Sequence, residues 1–260
     1  MFVDTHCHLT DLKFHGQDVV GRAKAANVNR IISIACDADD ARKTLELADG
    51  ESVWATVGFH PAYALGWRDD SLAELEALAQ SPHVVAIGEI GLDYVYDDSN
   101  LEFPGATRKQ QEIIFEAQLD LASRLNLPVV IHNRDATERL LEIVKPWREK
   151  ISGGVFHCFG AGEAIAKQVL DLDFHLGFGG LVTFKNAPLA RESVKICPIE
   201  RILLETDAPY LAPVPFRGKT NESAFIPLIA QTIADIKGVT IEEIGETTSR
   251  NASDLFFDTH

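Results

Sequence analysis

A chain of 260 residues, 46% hydrophobic and 24% charged, is long enough to bury a full core in one large domain or two small ones. With 24 Lys and Arg against 39 Asp and Glu, the formal charge is −15, a field that repels phosphate backbones at long range and excludes non-specific wrapping of a long duplex. There is no uninterrupted apolar run of about 18 residues, Met1-Phe2-Val3-Asp4 lacks the basic and apolar regions of a signal peptide, and Cys7, Cys36, Cys158 and Cys197 form no C-x-x-C pair, so a cytoplasmic chain with reduced thiols is expected.

Short apolar runs alternate with longer amphipathic stretches, without a linker, short repeat or low-complexity segment. In chain order the pattern predicts a strand over Phe2–His6, a helix over Asp18–Asn27, a strand over Arg30–Ala35 and a helix over Ala38–Ala48. Strand Trp54–Gly58, helix Ser71–Gln80, strand Val84–Glu89 and helix Thr107–Leu125 follow. Strand Pro128–His132, helix Ala136–Trp147, strand Gly154–His157 and helix Gly162–Leu172 come next. Strand Phe174–Gly177, helix Ala187–Ile196 and strand Arg201–Glu205 complete the alternation, and helices Phe225–Ile236 and Ile241–Phe256 close the chain. Strands alternating with helices in this number predict a single α/β domain over 1–260, a (β/α)8 TIM barrel rather than an open doubly wound sheet.

Polar residues gather at the C-terminal strand ends, the face on which barrel active sites are built. His6 and His8, two apart on a strand, point to one side, the barrel interior, and Cys7 points outward to the helix layer. Two imidazoles on one face chelate metals well. Later strands end in Gly58-Phe59-His60-Pro61, Gly88-Glu89-Ile90-Gly91-Leu92-Asp93, His132-Asn133-Arg134, His157-Cys158-Phe159 and Glu205-Thr206-Asp207. Burying so many imidazoles and carboxylates at one rim is costly unless cations compensate them.

The expected assignment is His6, His8 and Asp207 on one metal, His132 and His157 on a second, and Glu89 bridging through its two oxygens. Paired divalent ions suit hydrolysis, since they activate a water and stabilise the leaving oxygen. Ligands of this kind without thiolate fit Zn²⁺, Mn²⁺, Fe²⁺ or Co²⁺, and Mg²⁺ less well. Asp207 is expected to share in moving the water's proton. Glu205, of the same strand parity, is either a catalytic assistant or an orienter of the histidines. His60 either contacts substrate or leaving group, or is a capped strand-end histidine.

Arg217 and Lys219, in the restricted loop Pro213–Lys219, are expected to hold phosphates. Arg134 either contacts substrate or pairs with Glu205 or Asp135. Gly177-Phe178-Gly179-Gly180 reads as a close-packed turn, with a phosphate cradle as the alternative. Cys158 should point away from the site. His15, His83, His175 and His260 fit no ligand position.

Taken together, Asp4-Thr5-His6-Cys7-His8-Leu9, Gly58-Phe59-His60-Pro61, Gly88–Tyr94, His132-Asn133-Arg134-Asp135-Ala136, His157-Cys158-Phe159, Glu205–Leu211 and Pro213–Asn221 resemble the TatD family of metal-dependent deoxyribonucleases. The match runs in order along essentially the whole chain. Small departures are Phe59, where a valine is common, and Ser223, where a proline is common. The resemblance implies a TIM barrel of the amidohydrolase superfamily and phosphodiester hydrolysis on DNA, often from the 3′ end. It also implies metal ligation by His6, His8, Glu89, His132, His157 and Asp207.

The expected activity is that of a cytoplasmic deoxyribonuclease with two divalent ions, acting on single-stranded or frayed ends. DNA is the expected partner, with neither a membrane nor an obligate protein partner. The rivals are an amide or ester hydrolase of the same superfamily, such as a D-aminoacyl-tRNA deacylase, and a non-catalytic barrel with a degraded ligand set. Family resemblance constrains chemistry more tightly than substrate.

Overall fold

Fully buried aliphatic runs can satisfy their backbone only in a sheet covered on both faces, and here they form one. The computed structural model describes residues 1–258; His260 lies outside them. The strands are β1 (Phe2–Cys7), β2 (Val28–Ser33), β3 (Val53–Val57), β4 (Val84–Asp93), β5 (Val129–Arg134), β6 (Gly154–Phe156), β7 (His175–Phe178) and β8 (Ile202–Leu204). They form one parallel sheet in sequential order. The ring closes between β8 and β1: the Thr5 hydroxyl donates to Leu204 O at 3.0 Å, and Asp207 N–H donates to His6 O and His8 N–H to Ala208 O, both at 2.8 Å. This is the expected (β/α)8 barrel.

Around it run α1 (Val19–Ala25), α2 (Ala38–Leu47), α3 (Ser71–Leu78), α4 (Arg108–Leu125), α5 (Thr137–Val144), α6 (Glu163–Asp171), α7 (Pro188–Ile196), α8 (Ile226–Lys237) and α9 (Ile241–Ala252). Several are shorter than their sequence patterns because the flanking residues cap rather than extend them. Asp18 accepts from Gly21 N–H, and Thr107 with Gln110 forms a capping box at α4. Pro146 diverts the end of the α5 pattern into a 3-10 turn, Lys145–Trp147. Val3, Ile32, Val85, Val130, Val155 and Leu203, from six different strands, pack together with Leu255 and Phe256. They fill the barrel below the rim and support the side chains above it.

Two strand ends depart from the sequence pattern, and both bear on the rim. β4 continues past Glu89 to Asp93, pairing Gly91 with His132, Leu92 with Asn133 and Asp93 with Arg134. Gly91 permits this at φ 145°, where a Cβ would stand 2.0 Å from His132 O. β8 instead stops at Leu204, so Glu205 and Asp207 do not share a strand parity; Asp207 has a left-handed φ of 57°. Register shifts also fall between Asp4 and Cys7 and between Gly88 and Ile90, beside His6 and Glu89. Such irregularities re-aim side chains at functional rims.

At the other end of the barrel, His175 opens β7, is only 9% exposed and has an unpartnered Nδ1. Burial, helped by the charge of Arg201, pushes its imidazole down to about 4. Unfolded chains take up the proton near pH 6.5, so the neutral ring's contribution to stability is full above that pH. It declines as pH falls and is gone below about 4. Replacing His175 with Leu should therefore remove about 2 kcal/mol of the wild-type stability loss between roughly pH 7.5 and 5. Denaturant titrations at both pH values measure it, and parallel losses in the two proteins would refute the assignment.

Candidate metal centre

Glu89 stands at the centre of the rim, 2% exposed, and its two oxygens face different partners. Oε2 lies 3.3 Å from His6 Nε2 and 3.9 Å from His8 Nε2. Oε1 lies 2.7 Å from both His132 Nδ1 and His157 Nε2, which are themselves 3.3 Å apart. Asp207 Oδ1 completes the first group, 3.7 Å from His6 Nε2 and 3.4 Å from His8 Nε2. Burial alone would raise the Glu89 carboxyl, but His157, His60, His6 and the hydrogen bond from His132 hold it well below the usual carboxylate range.

The nitrogens are oriented from outside the cluster. His8 Nδ1 lies 3.2 Å from Ile34 O, an acceptor that places the proton on Nδ1 and turns the Nε2 lone pair to the carboxylates. His132 Nε2 lies 3.1 Å from Asp93 Oδ2, which leaves Nδ1 free to ligate. Glu205 is fully buried beneath His157: Oε1 accepts from Cys158 N–H at 2.5 Å and stands 3.6 Å from His157 Nδ1. His6 and His157 stack at 4.0 Å. Burial lowers both, but Glu89 and Glu205 raise His157 well above its ordinary value while His6 stays lowered.

These residues fit divalent cations. Both ring nitrogens of His6, Nδ1 of His157 and Oε2 of Glu205 are buried without a hydrogen-bond partner, a cost of about 1–3 kcal/mol per group unless something else satisfies them. Two ligands each about 2.0–2.1 Å from a tetrahedral ion lie roughly 3.3–3.4 Å apart; the spacings around His6, His8, Glu89 and Asp207 run from 3.3 to 3.9 Å, two at that separation and two wider. The 2.7 Å contacts to Oε1 are of hydrogen-bond length, tighter than that spacing. His6, His8 and Glu89 form one candidate ligand group; His60, Glu89 and His132 form another.

A family model described as TatD related DNase matches residues 3–257. The chain belongs to the TatD related DNase family. YabD of Bacillus subtilis, named as an uncharacterized metal-dependent hydrolase, is 40% identical over 98% of this chain and 99% of its own length. The 3′-5′ ssDNA/RNA exonuclease TatD of Pantoea ananatis is 36% identical over 97% of this chain and 98% of its own. Among solved structures, YJJV, a TatD homologue from Escherichia coli K12, superposes with a TM-score of 0.90 at 31% identity, covering 98% of this chain and 97% of that one.

Other residues singled out in this TatD-family sequence are placed differently. His60 is the capped histidine that was one of its two expected readings: Nδ1 accepts from Ala62 N–H at 3.0 Å, so Nε2 carries the proton and faces Glu89 Oε1 at 3.6 Å. Burial, then His132, pushes it down to about 3. Arg134 is exposed and lines the mouth, a cleft of about 690 Å³ that also reaches His8, Glu89 and Asp207. Arg217 and Lys219 are not among the residues lining that cleft; Arg217 lies over the Phe184 ring at 4.4 Å and donates to Asn186. The Gly177–Gly180 segment is close-packed but is the end of β7 running into a 3-10 turn; a Cβ on Gly177 would meet Glu205 Oε2 at 2.3 Å and one on Gly180 would meet Leu211 O at 1.9 Å.

Asp93 and Asp4 also support the site, with no role evident from local pattern. Asp93 orients His132, and its signal was parity: positions 89, 91 and 93 share one face if the strand continues. Asp4 is fully buried, accepting from Thr206 N–H at 2.9 Å and from the Thr206 hydroxyl at 2.6 Å, which ties β1 to the segment carrying Asp207. Burial pushes its carboxyl up to about 7.

Proposed function

We propose that this TatD-family chain is a divalent-metal-dependent nuclease that removes nucleotides from single-stranded ends of DNA, entering from the 3′ terminus. The observation that carries the reading is Glu89, whose two oxygens each face a separate set of imidazole donors. His6, His8 and Asp207 would hold one divalent ion, His132 and His157 a second, and Glu89 would bridge them; Zn²⁺, Mn²⁺, Fe²⁺, Co²⁺ and Mg²⁺ are the candidates. Bound there, the ions would supply Lewis acidity to the attacking water and the leaving oxygen.

The chain's own residues do the rest. Asp207, at the open side of the cluster, accepts the proton of the attacking water. Glu205 and Asp93 hold His157 and His132 in orientation. His60 lines the cleft with Nε2–H beside Glu89, within reach of the substrate or the leaving group. Arg134 meets a phosphate at the rim, and Arg217 and Lys219 lie beyond the cleft, where a longer strand would pass. A cleft of about 690 Å³ is of small-ligand size and admits a strand terminus rather than a duplex. Among the described residues no single helix is long and apolar enough to cross a membrane, and the cytoplasm is the proposed place of action.

The reading predicts turnover of a single-stranded oligonucleotide that chelation abolishes and added Mn²⁺, Mg²⁺ or Zn²⁺ restores. The same preparation is assayed on esters, lactones and a D-aminoacyl-tRNA. Turnover of the ester panel with an intact DNA strand would replace the nuclease reading with the deacylase one.

A further inference from the structure

Two tyrosines at the mouth remain unexplained by the metal centre. Tyr63 is 50% exposed and Tyr210 48%, and both line the cleft. Each is built onto a residue of the site by the same device. Tyr63 N–H donates to His60 O at 2.9 Å, and Tyr210 N–H donates to Asp207 O at 2.8 Å, so both rings stand three residues beyond a site residue across a hydrogen-bonded turn. Each ring meets a site histidine edge to face, Tyr63 with His60 and Tyr210 with His8, with centroids 6.1 Å apart in both pairs. Tyr210 is further fixed by its hydroxyl on Asp11 at 3.3 Å and by Lys13 Nζ over the ring at 4.8 Å.

An aromatic ring left half in water beside a polar site forgoes burial that a core position would give. A flat apolar ligand surface is what such rings can use. The charges on the same wall say which part of a strand comes here. Asp11, Asp37, Asp39 and Asp40 line the cleft with the tyrosines, Lys43 is the cation beside them, and Arg134 is a second cation of the same cleft. Carboxylates repel the phosphodiester backbone, whereas a nucleobase carries no charge and has a π-face that stacks on any aromatic ring.

We propose that Tyr63 and Tyr210 form a base-stacking clamp that grips the terminal bases of a single strand and sets its last phosphodiester over Glu89. The proposal rests on the nuclease reading but concerns the bases, not the scissile bond. It makes the enzyme tolerant of sequence and selective for unpaired ends, because a base inside a duplex has no free face to offer.

The test separates grip from cutting. Affinity for a short fluorescent DNA strand, and for an abasic strand of the same length, is measured by anisotropy in chelator; kcat and KM follow in Mn²⁺. The wild type should bind the base-bearing strand more tightly, and a Tyr63→Leu, Tyr210→Leu double variant should lose roughly 10- to 100-fold of that affinity. Binding of the abasic strand should not change, and Tyr63→Phe with Tyr210→Phe should retain wild-type affinity. In turnover the loss should appear in KM rather than kcat. A wild type that binds both strands alike, or a Leu pair that weakens both alike, overturns the clamp. Protein that shows the binding difference but cleaves neither strand refutes the nuclease reading and leaves the clamp standing.

Discussion

Glu89→Gln should lower kcat by about 10³-fold and halve the stoichiometry of divalent-metal binding, while the barrel still folds. The substitution keeps shape and one carbonyl oxygen but removes the charge and places an amide N–H₂ among imidazoles. In the wild type, the carboxylate lies within 3.9 Å of four ring nitrogens from His6, His8, His132 and His157. His157, His60, His6 and the hydrogen bond from His132 are what keep it ionised against burial. Losing one ion forfeits its Lewis acidity, on the order of 4 kcal/mol of transition-state stabilisation. Each 1.36 kcal/mol is tenfold in rate, which gives the expected loss. Calorimetric titration with Mn²⁺ measures the stoichiometry, and far-UV circular dichroism checks the fold. Turnover within tenfold of wild type, or two ions still bound at wild-type affinity, would remove Glu89 from the bridging position.

The convergence of His6, His8, Glu89, His132, His157 and Asp207 was legible because each lies at or just past a strand end, and barrel topology carries such ends to one rim. What local pattern could not show was how far each strand continues. The alternation in Val84–Glu89 stops carrying polar information there, yet hydrogen bonding to β5 runs on to Asp93. That extension turns a loop aspartate into the orienter of His132. At β8 parity suggested that Glu205 and Asp207 face the same way, and both carboxylates do turn to the site histidines, though not through strand parity. The strand ends first, and Asp207 reaches the site through a left-handed backbone and its N–H bond to His6 O.

Arg217 and Lys219 mark a different limit. Their proximity in sequence to Asp207 suggested proximity to the metal centre. The path of that loop is governed by contacts with no local periodicity: Asn221 donates to both Thr206 O and Tyr210 O, pinning the loop base, while Arg217 stacks on Phe184. Tyr63 and Tyr210 escaped for the same reason. Tyrosines in turns carry no sequence signal of their own, and their shared relation to His60 and Asp207 exists only once the turns have formed.

Gly58→Ala should be a damaging single-methyl change at this rim, although Gly58 is no ligand and its backbone needs no special φ. A Cβ there would stand 2.5 Å from the Gly88 carbonyl carbon, 2.6 Å from its oxygen and 2.9 Å from Glu89 N. These are backbone atoms in a strand flanked by partners, so they cannot swing aside as a side-chain tip would. On the same peptide, Glu89 N–H is held by Ala35 O at 3.1 Å. The methyl must therefore push β3 from β4 or drag the Glu89 peptide out of place. The first costs about 1–3 kcal/mol of stability as overpacking; the second moves the Glu89 carboxylate, and a displacement of roughly 1 Å at a reacting centre costs about 10²-fold in rate. Gly66→Ala is the control, because its Cβ would meet only Phe59 Cζ at an ordinary 3.6 Å. Thermal melts and kcat for the two variants decide the matter. A Gly58→Ala protein as stable and as active as Gly66→Ala would show that Glu89 is not held by the backbone that crowds it, and that its position is set by its histidine partners alone.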